Sequence, residues 1–129
     1  MVHTLRKVKN IGKVRKEGII MPYIKIVNLN KEQVNVFSKN VKNNIAEIVG
    51  IPESRFHFFH CGELLLEEYL VLIEILWYPR DESKMEKVAG LINSEIKKLG
   101  DYDAHVIFHE INSNKHYING KQHIHIPES

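Results

Sequence analysis

The chain of 129 residues has the length of one domain, and its 43% content of hydrophobic residues is ordinary for a globular protein. No apolar run approaches the roughly 18 residues that a membrane-spanning helix needs, which argues against a membrane protein. The single cysteine, Cys61, excludes an internal disulfide and favours a reducing, cytoplasmic compartment.

The basic charge of the sequence is concentrated near its start. Residues 1–20 contain six Lys or Arg against one acid, Glu17. Of the 18 basic and 16 acidic residues in the whole chain, 18 − 6 = 12 and 16 − 1 = 15 fall in the remainder, which gives it a net charge of −3. This mildly acidic remainder gives no basis for nucleic-acid binding.

Three interpretations of the basic leader, residues 1–21, compete. Apolar residues recur every third position between the cations, as in an arm that binds nucleic acid or an anionic membrane. A targeting peptide is less well supported, because the leader has no apolar core of signal-peptide length and no small-residue cleavage site. We favour the third interpretation, a start codon assigned too far upstream: the codons of Lys16-Glu17-Gly18 can contain a bacterial ribosome-binding sequence at a suitable spacing before Met21. The domain then comprises residues 22–129.

The stretch after the leader predicts a strand, a helix and a second strand. β-branched residues alternate over residues 23–29 (YIKIVNL), which is typical of a strand. Asn30 and Gln33 match a capping box, and apolar residues then recur at three- and four-residue steps until Gly50, where the helix is predicted to end. The second strand is predicted over residues 55–60 (RFHFFH).

The second half of the chain repeats this order. Residues 70–78 (LVLIEILWY) form the most apolar predicted strand, which we expect to be buried on both faces. Ser83 and Glu86 predict a second capping box, and an apolar helical stripe follows until Gly100. Residues 103–111 (DAHVIFHEI) are predicted as the fourth strand.

The two halves, about residues 22–60 and 69–111, indicate a duplicated β-α-β unit, because their helix-ending glycines lie 50 residues apart. The predicted fold is α/β, an α+β two-layer sandwich with a four-stranded mixed sheet and two helices on one face. The other face then requires a cover, and self-association is the expected remedy. An Asn-Gly pair at residues 119–120 predicts a small C-terminal hairpin.

Three stretches of the sequence resemble the tautomerase superfamily, which includes 4-oxalocrotonate tautomerase and macrophage migration inhibitory factor. They are MPYIKIV, SKNVKNNIAEIVGIP and IEILWYPRDESKMEKVAGLI, and they are most similar to a bacterial family of unknown function within that superfamily. The resemblance extends from Pro22 to about Gly120. It implies a homotrimer, and a chain that begins with proline once the preceding Met has been removed.

The resemblance also implies that Pro22 is a general base. A free amino-terminal proline carries a secondary amine, and burial beside apolar walls lowers the pKa of such a group toward neutrality. The amine can then move a proton between the carbons of a small keto or enol acid, in a cofactor-free isomerisation or a related lyase reaction. If residues 1–20 are retained, the Pro22 nitrogen is a tertiary amide and is not basic.

The end of the third predicted strand should lie beside the start of the first, so that Trp77, Tyr78 and Arg80 line a pocket near Pro22. Arg80 is the candidate to bind a substrate carboxylate in bidentate fashion. Glu74 is a further candidate site residue, as a second acid–base group with raised pKa; otherwise it is a carboxylate that pairs with a cation or faces water at the trimer centre. Pro22 and Arg80 also have plainer interpretations, as a strand-initiating proline and as a solvated residue that opens a helix.

The sequence departs from the superfamily at other positions. A lysine of macrophage migration inhibitory factor falls at Ile51, and a tyrosine and an asparagine fall near Ile107 and His109. These departures favour an alternative function, a non-catalytic oligomeric binding module with the same fold. The Met-Pro start favours the enzyme.

Seven of the eight histidines follow Pro22, but the sequence predicts no metal site. Zinc sites need three or four ligands that converge in space. The tail GKQHIHIPE matches only a short part of a cupin metal motif, without its second half and without an all-β pattern. We therefore expect neither a metal nor another cofactor.

Overall fold

The computed structural model describes residues 22–62 and 66–122, so the leader and the end of the His-rich tail lie outside the described residues. Two 3₁₀ turns accompany the helices and strands, at Glu53–Arg55 and Ser113–Lys115. The remaining elements are, in chain order, β1 (Tyr23–Val27), α1 (Lys31–Val49), β2 (His57–His60), β3 (Leu70–Trp77), α2 (Glu82–Leu99), β4 (Asp103–Glu110), β5 (Tyr117–Ile118) and β6 (Lys121–Gln122).

The four long strands form one mixed sheet in the order β2-β1-β3-β4. β1 is parallel to β2, and β3 is parallel to β4, as expected for two β-α-β units. The units join through an antiparallel pairing of β1 with β3, in which Tyr23 lies opposite Leu76 and Val27 opposite Leu72. The predicted two-layer fold with a duplicated β-α-β unit is therefore confirmed.

Both helices pack on one face of this sheet and form the core with it. Every second residue of β1 and β3 points to this face, and the matching apolar stripes of α1 and α2 cover it. The core residues include Ile24, Ile26, Phe37, Val41, Ile45, Val71, Ile73, Ile75, Val88, Ile92 and Ile96. The alternate residues of β3 remain half-buried. The expectation that β3 is buried on both faces is therefore not met within a single chain. No helix in the described part of the chain is long and apolar enough to cross a bilayer.

The two helices begin differently. The predicted capping box at α1 is confirmed, because the Asn30 side chain accepts from the Gln33 N–H and the Gln33 side chain accepts from the Asn30 N–H. The second predicted box is wrong. The carbonyl of Asp81 already accepts the first helical hydrogen bonds of α2, so Ser83 lies within the first turn and cannot cap it.

The strand ends also shift by one or two residues from the prediction. β1 ends at Val27 because Asn28 adopts a left-handed conformation, with φ of 79°. β2 starts only at His57, since the 3₁₀ turn at Glu53–Arg55 takes up the preceding residues. The C-terminal hairpin is confirmed, and Asn119 and Gly120 supply the positive φ angles of its turn.

The side chain of Asn28 connects the turn after β1 to the start of β3 through two hydrogen bonds. Its buried side-chain amide donates to the carbonyls of Glu67 at 2.9 Å and Leu70 at 2.7 Å. We expect Asn28→Ala to lower the free energy of unfolding by about 2–3 kcal/mol, because it removes two hydrogen bonds and places Ala at positive φ. Asn28→Gly loses the same hydrogen bonds without the steric cost, so its loss should be about 1 kcal/mol smaller.

Urea denaturation monitored by circular dichroism measures these differences. Asn40→Ala, on the exposed side of α1, is the control and should change the free energy by less than about 0.5 kcal/mol. Equal losses for the Ala and Gly variants would show that the left-handed backbone at position 28 carries no cost.

Candidate functional site at the amino end of β1

Pro22 is buried at the amino end of β1. Its carbonyl accepts the N–H of His57 at 3.2 Å, which extends the parallel pairing of β1 with β2 by one residue. The antiparallel register of β1 and β3 places Tyr23 opposite Leu76. If this register is extended by one residue, Pro22 lies opposite Trp77. The first strand therefore presents its proline between the start of β2 and the end of β3, and the second of these neighbours is the one that the sequence predicts.

Trp77 and Arg80 lie together on the helix side of this end of the sheet. The Trp77 side chain is fully buried and stacks on Phe108, with ring centroids 4.8 Å apart. The guanidinium carbon of Arg80 lies 5.7 Å from the Trp77 ring centroid, a cation–π contact that positions the charge. The indole Nε1 of Trp77 is buried, and among the described residues it has no hydrogen-bond partner. A positive charge and an N–H donor therefore lie at the level of Pro22.

Tyr78 lies on the opposite side of the sheet at the same end and is 2% exposed. Its hydroxyl is 2.8 Å from Nδ1 of His116, and the hydroxyl of Tyr23 is 3.4 Å from Nε2 of the same ring. Burial raises the pKa of Tyr78, as does the neighbouring Tyr23, and burial also raises the pKa of Tyr23. Both phenols therefore keep their protons at neutral pH.

His57 contacts this group through the Tyr23 ring, at a centroid distance of 5.9 Å. Burial lowers the pKa of His57, and the positive charge of Lys42 lowers it further, so the ring is neutral at neutral pH. Tyr23, His57 and His116 are not among the site residues predicted from the sequence. Alternation along β1 and β2 would have placed Tyr23 and His57 beside each other, whereas nothing in the pattern brings His116, 93 residues away, to Tyr23.

Glu74 lies away from this cluster, in the middle of β3. Its carboxylate is 3.9 Å from Nζ of Lys25 on β1 and 3.0 Å from Nε2 of His109 on β4. The structure thus brings Pro22, Trp77, Tyr78 and Arg80 to one end of the sheet and leaves Glu74 in a separate chain of charges.

The sheet face opposite the helices, which we call the open face, is largely uncovered among the described residues except at the Pro22 end, where His116 contacts Tyr23 and Tyr78. Phe59 and Ile107 are each 46% exposed there, and Leu72 and Leu76 are half-buried. The open face also includes Tyr23, Lys25, Val27, His57, Glu74, His105 and His109. It is therefore an apolar surface with a line of charges across its centre.

Two further features lie outside the Pro22 end. Within residues 22–62 and 66–122, no three His, Cys, Asp or Glu side chains converge as metal ligands, and His123 and His125 fall outside these ranges. A groove between the first turns of α1 and the edge strand β2, lined by Lys31, Asn35 and His60 among others, lies at the far end of β1 from Pro22.

The sequence matches one family model, described as Domain of unknown function (DUF1904), over residues 21–122. A solved structure described with the same words, from Sebaldella termitidis, is 27% identical and has a TM-score of 0.73. The match covers 79% of this chain and 99% of that chain. No protein with a curated description matches the sequence significantly.

More distant structures share the fold at lower identity. A malonate semialdehyde decarboxylase, described for its decarboxylase and hydratase activities, is 15% identical with a TM-score of 0.61, and the match covers 75% of this chain and 90% of that chain. A fused 4-OT described as an asymmetric trimer is 11% identical with a TM-score of 0.64, over 78% of this chain and 94% of that chain. The fold is therefore that of the tautomerase superfamily, and the chain itself belongs to the family described as Domain of unknown function (DUF1904).

Proposed function

We propose that this protein is a cofactor-independent tautomerase, or a related lyase, that acts on a small keto or enol acid and uses amino-terminal Pro22 as its general base. The observation that carries the proposal is the burial of Pro22 at the end of β1, opposite Trp77, whose ring holds the Arg80 guanidinium in a cation–π contact. Burial favours the neutral amine, which is the form that accepts a proton.

The proposal requires that the chain begins at Pro22 after removal of Met21. The family match begins at residue 21, which supports a domain that begins there. A reducing, cytoplasmic location is part of the same proposal, because it rests on the single cysteine.

Substrate binding is assigned to the residues around Pro22. Arg80 offers a planar cation that can bind a carboxylate through two parallel hydrogen bonds. The buried Nε1–H of Trp77 offers a further hydrogen-bond donor. It has no partner among the described residues, and a buried donor without a partner costs about 1–3 kcal/mol of stability. A ligand or a water molecule that accepts from it removes this cost. A carboxylate next to the carbon that Pro22 deprotonates fits both groups.

We also propose that the protein is a homotrimer whose copies associate through the open face. A face that exposes Phe59 and Ile107 on its two edge strands, with half-buried leucines between them, gains free energy when another copy covers it. The trimer described for the fused 4-OT, which has the same fold, supports this assembly.

A non-catalytic binding module of the same fold is the alternative, and one set of observations favours it. Ile51 is buried in the core, Ile107 lies on the open face, and His109 is engaged with Glu74. At these positions the superfamily resemblance places a lysine, a tyrosine and an asparagine. Here two of them are isoleucines, and the polar group of the third, His109, is engaged with Glu74. The proposed enzyme must therefore recognise its substrate with other residues, such as Arg80.

The first prediction concerns the amino terminus. Protein that begins at Pro22 should ketonise the enol form of an aryl-substituted pyruvate, and Pro22→Gly should lower kcat/KM by about 100-fold or more, because general-base catalysis contributes about that much. Protein that retains residues 1–20 should be at least as slow as the Gly variant, since its Pro22 nitrogen is an amide and cannot accept a proton. Loss of the enol absorbance measures the rate, and intact-mass analysis establishes which residue comes first. Equal rates for all three proteins would exclude Pro22 from the chemistry and favour the binding module.

The second prediction concerns Arg80. We expect Arg80→Gln to raise KM for a carboxylate substrate by about 10- to 100-fold with a smaller change in kcat, because the loss of a charge-assisted pair weakens binding by about 1.5–3 kcal/mol. Arg80→Lys keeps the charge but not the planar guanidinium. Its KM should therefore lie between those of the wild-type protein and Arg80→Gln. The corresponding amide substrate is the control, because its KM should not respond to either change. An unchanged KM for the carboxylate substrate would return Arg80 to the plain interpretation of a solvated residue.

The third prediction concerns assembly. Ile107→Lys should convert trimers to monomers at micromolar concentration, because it places a charge at an exposed apolar position of the proposed interface. In the monomer the new ammonium can approach Glu74, which lies opposite in the sheet register, so folding should be preserved. Val36→Lys is the matched control: Val36 has a similar exposure of 42% but lies on α1. Sedimentation equilibrium gives the masses, and a trimer that survives Ile107→Lys would place the interface elsewhere.

A further inference from the structure

Three side chains form a connected line of charges across the open face: Lys25 on β1, Glu74 on β3 and His109 on β4. Glu74 lies opposite Lys25 in the sheet register, with 3.9 Å between Oε2 of the carboxylate and Nζ of the lysine. The other carboxylate oxygen, Oε1, is 3.0 Å from Nε2 of His109. One carboxylate therefore has two partners, and one of them changes its charge with pH, because histidine titrates between about pH 5 and 8.

The contact with Glu74 determines where His109 takes up a proton. An ionised carboxylate only accepts hydrogen bonds, so the neutral imidazole donates to it from Nε2 and has no proton on Nδ1. A proton taken up in acid therefore goes to Nδ1, which has no hydrogen-bond partner among the described residues. Lys25 and Glu74 cancel each other's charge. The line of charges is thus neutral when His109 is neutral and carries one positive charge when His109 is protonated.

This line of charges lies among apolar side chains. Ile107, which is 46% exposed, lies opposite Glu74 in the register, and Leu72 and Leu76 are half-buried on the same strand. In the single chain the Glu74 side chain is 26% exposed, so water still reaches it. A second copy that covers the face removes this water. An uncompensated charge is then costly, whereas a balanced set of charges is tolerated.

The other titratable groups of the open face differ from His109. Within the four strands and at the Pro22 end they are Tyr23, His57, Tyr78, Asp103, His105 and His116. Burial raises the pKa of both tyrosines, so they stay uncharged at neutral and acid pH. Burial and the charge of Lys42 lower the pKa of His57, so it takes up a proton only at lower pH than an ordinary histidine. His116 lies against the two phenols at the end of the face. A charge on His105 has the carboxylate of Asp103 two residues away on the same face of β4.

We propose that protonation of His109 controls association through the open face: copies of this chain associate when the ring is neutral and separate when it is charged. The inference rests on the homotrimer proposed above. A copy of the same face brings the same charges, so each subunit of the trimer adds one positive charge in acid and none at neutral pH. Three separated chains then bind three more protons than the trimer does. Dissociation is therefore favoured as the pH falls.

Sedimentation equilibrium of the full chain between about pH 7.5 and 5.5 tests the inference. We expect the association constant of the wild-type trimer to fall by up to about 1,000-fold per pH unit once histidine is protonated, because three protons are linked to one association. His109→Gln keeps a neutral N–H donor for Glu74 and should remain trimeric in acid. His105→Gln is the matched control on the same strand and face, and should dissociate as the wild-type protein does.

Lys25→Met should reverse the sign of the pH dependence. Without the ammonium, Glu74 leaves one negative charge per copy at neutral pH, and a proton on His109 cancels it. The association constant of this variant should therefore rise as the pH falls, which a purely structural role of His109 does not predict. Circular dichroism at each pH verifies that every variant remains folded.

The outcomes separate this inference from the proposed assembly. A wild-type association constant that changes by less than about threefold over the range would overturn the inference, as would weaker association of Lys25→Met in acid. A response lost in His105→Gln and kept in His109→Gln would overturn the role of His109. A trimer that resists acid but separates in Ile107→Lys would leave the proposed assembly intact. A wild-type protein that is already monomeric at neutral pH would overturn the proposed assembly and this inference together.

Discussion

The antiparallel pairing of β1 with β3 is the constraint on which the rest of this structure depends. Each β-α-β unit alone has only two parallel strands and one helix, too little to enclose a core. The β1–β3 pairing joins the units into one sheet and brings both helices to the same face. Its register, with Tyr23 opposite Leu76, also places the amino end of β1 beside the carboxyl end of β3.

The same register divides the side chains between two environments. Because successive side chains point to opposite faces, Ile24 faces Ile75 in the core while Lys25 faces Glu74 on the open face. In the single chain Glu74 is about a quarter exposed, and such an ion pair contributes only about 0–1 kcal/mol. If another copy covers the open face, the charged side chains of Lys25, Glu74 and His109 lose their contact with water. Association then requires that these charges are paired with good geometry, because their attraction must offset the cost of desolvation. The position of this chain of charges would then determine how the copies align with one another more than it would stabilise their association.

The parts of the fold that follow from local sequence were predictable, and those that depend on distant contacts were not. The capping box at Asn30 uses residues three apart, and the helical stripes repeat within each helix, so both could be read from the chain. The start of α2 was missed because Asp81 and Ser83 are both plausible caps, and only the backbone bonds to Asp81 decide between them. At the site, the expected pairing of the third strand with the first brought the end of β3, with Trp77, beside Pro22. The contact of His116 with Tyr23 could not be predicted, because it closes a loop of 93 residues and follows no periodic pattern.

The fold and the proposed chemistry use different atoms of Pro22. The sheet uses the Pro22 carbonyl, which accepts from His57, and needs no N–H from it, because proline has none to give. The backbone pairing of β1 is therefore satisfied whether or not residues precede the proline. The chemistry depends on the nitrogen alone, since a secondary amine can accept a proton and a tertiary amide cannot. A chain of this fold can thus gain or lose its base by a change at its amino terminus, without any change in its core.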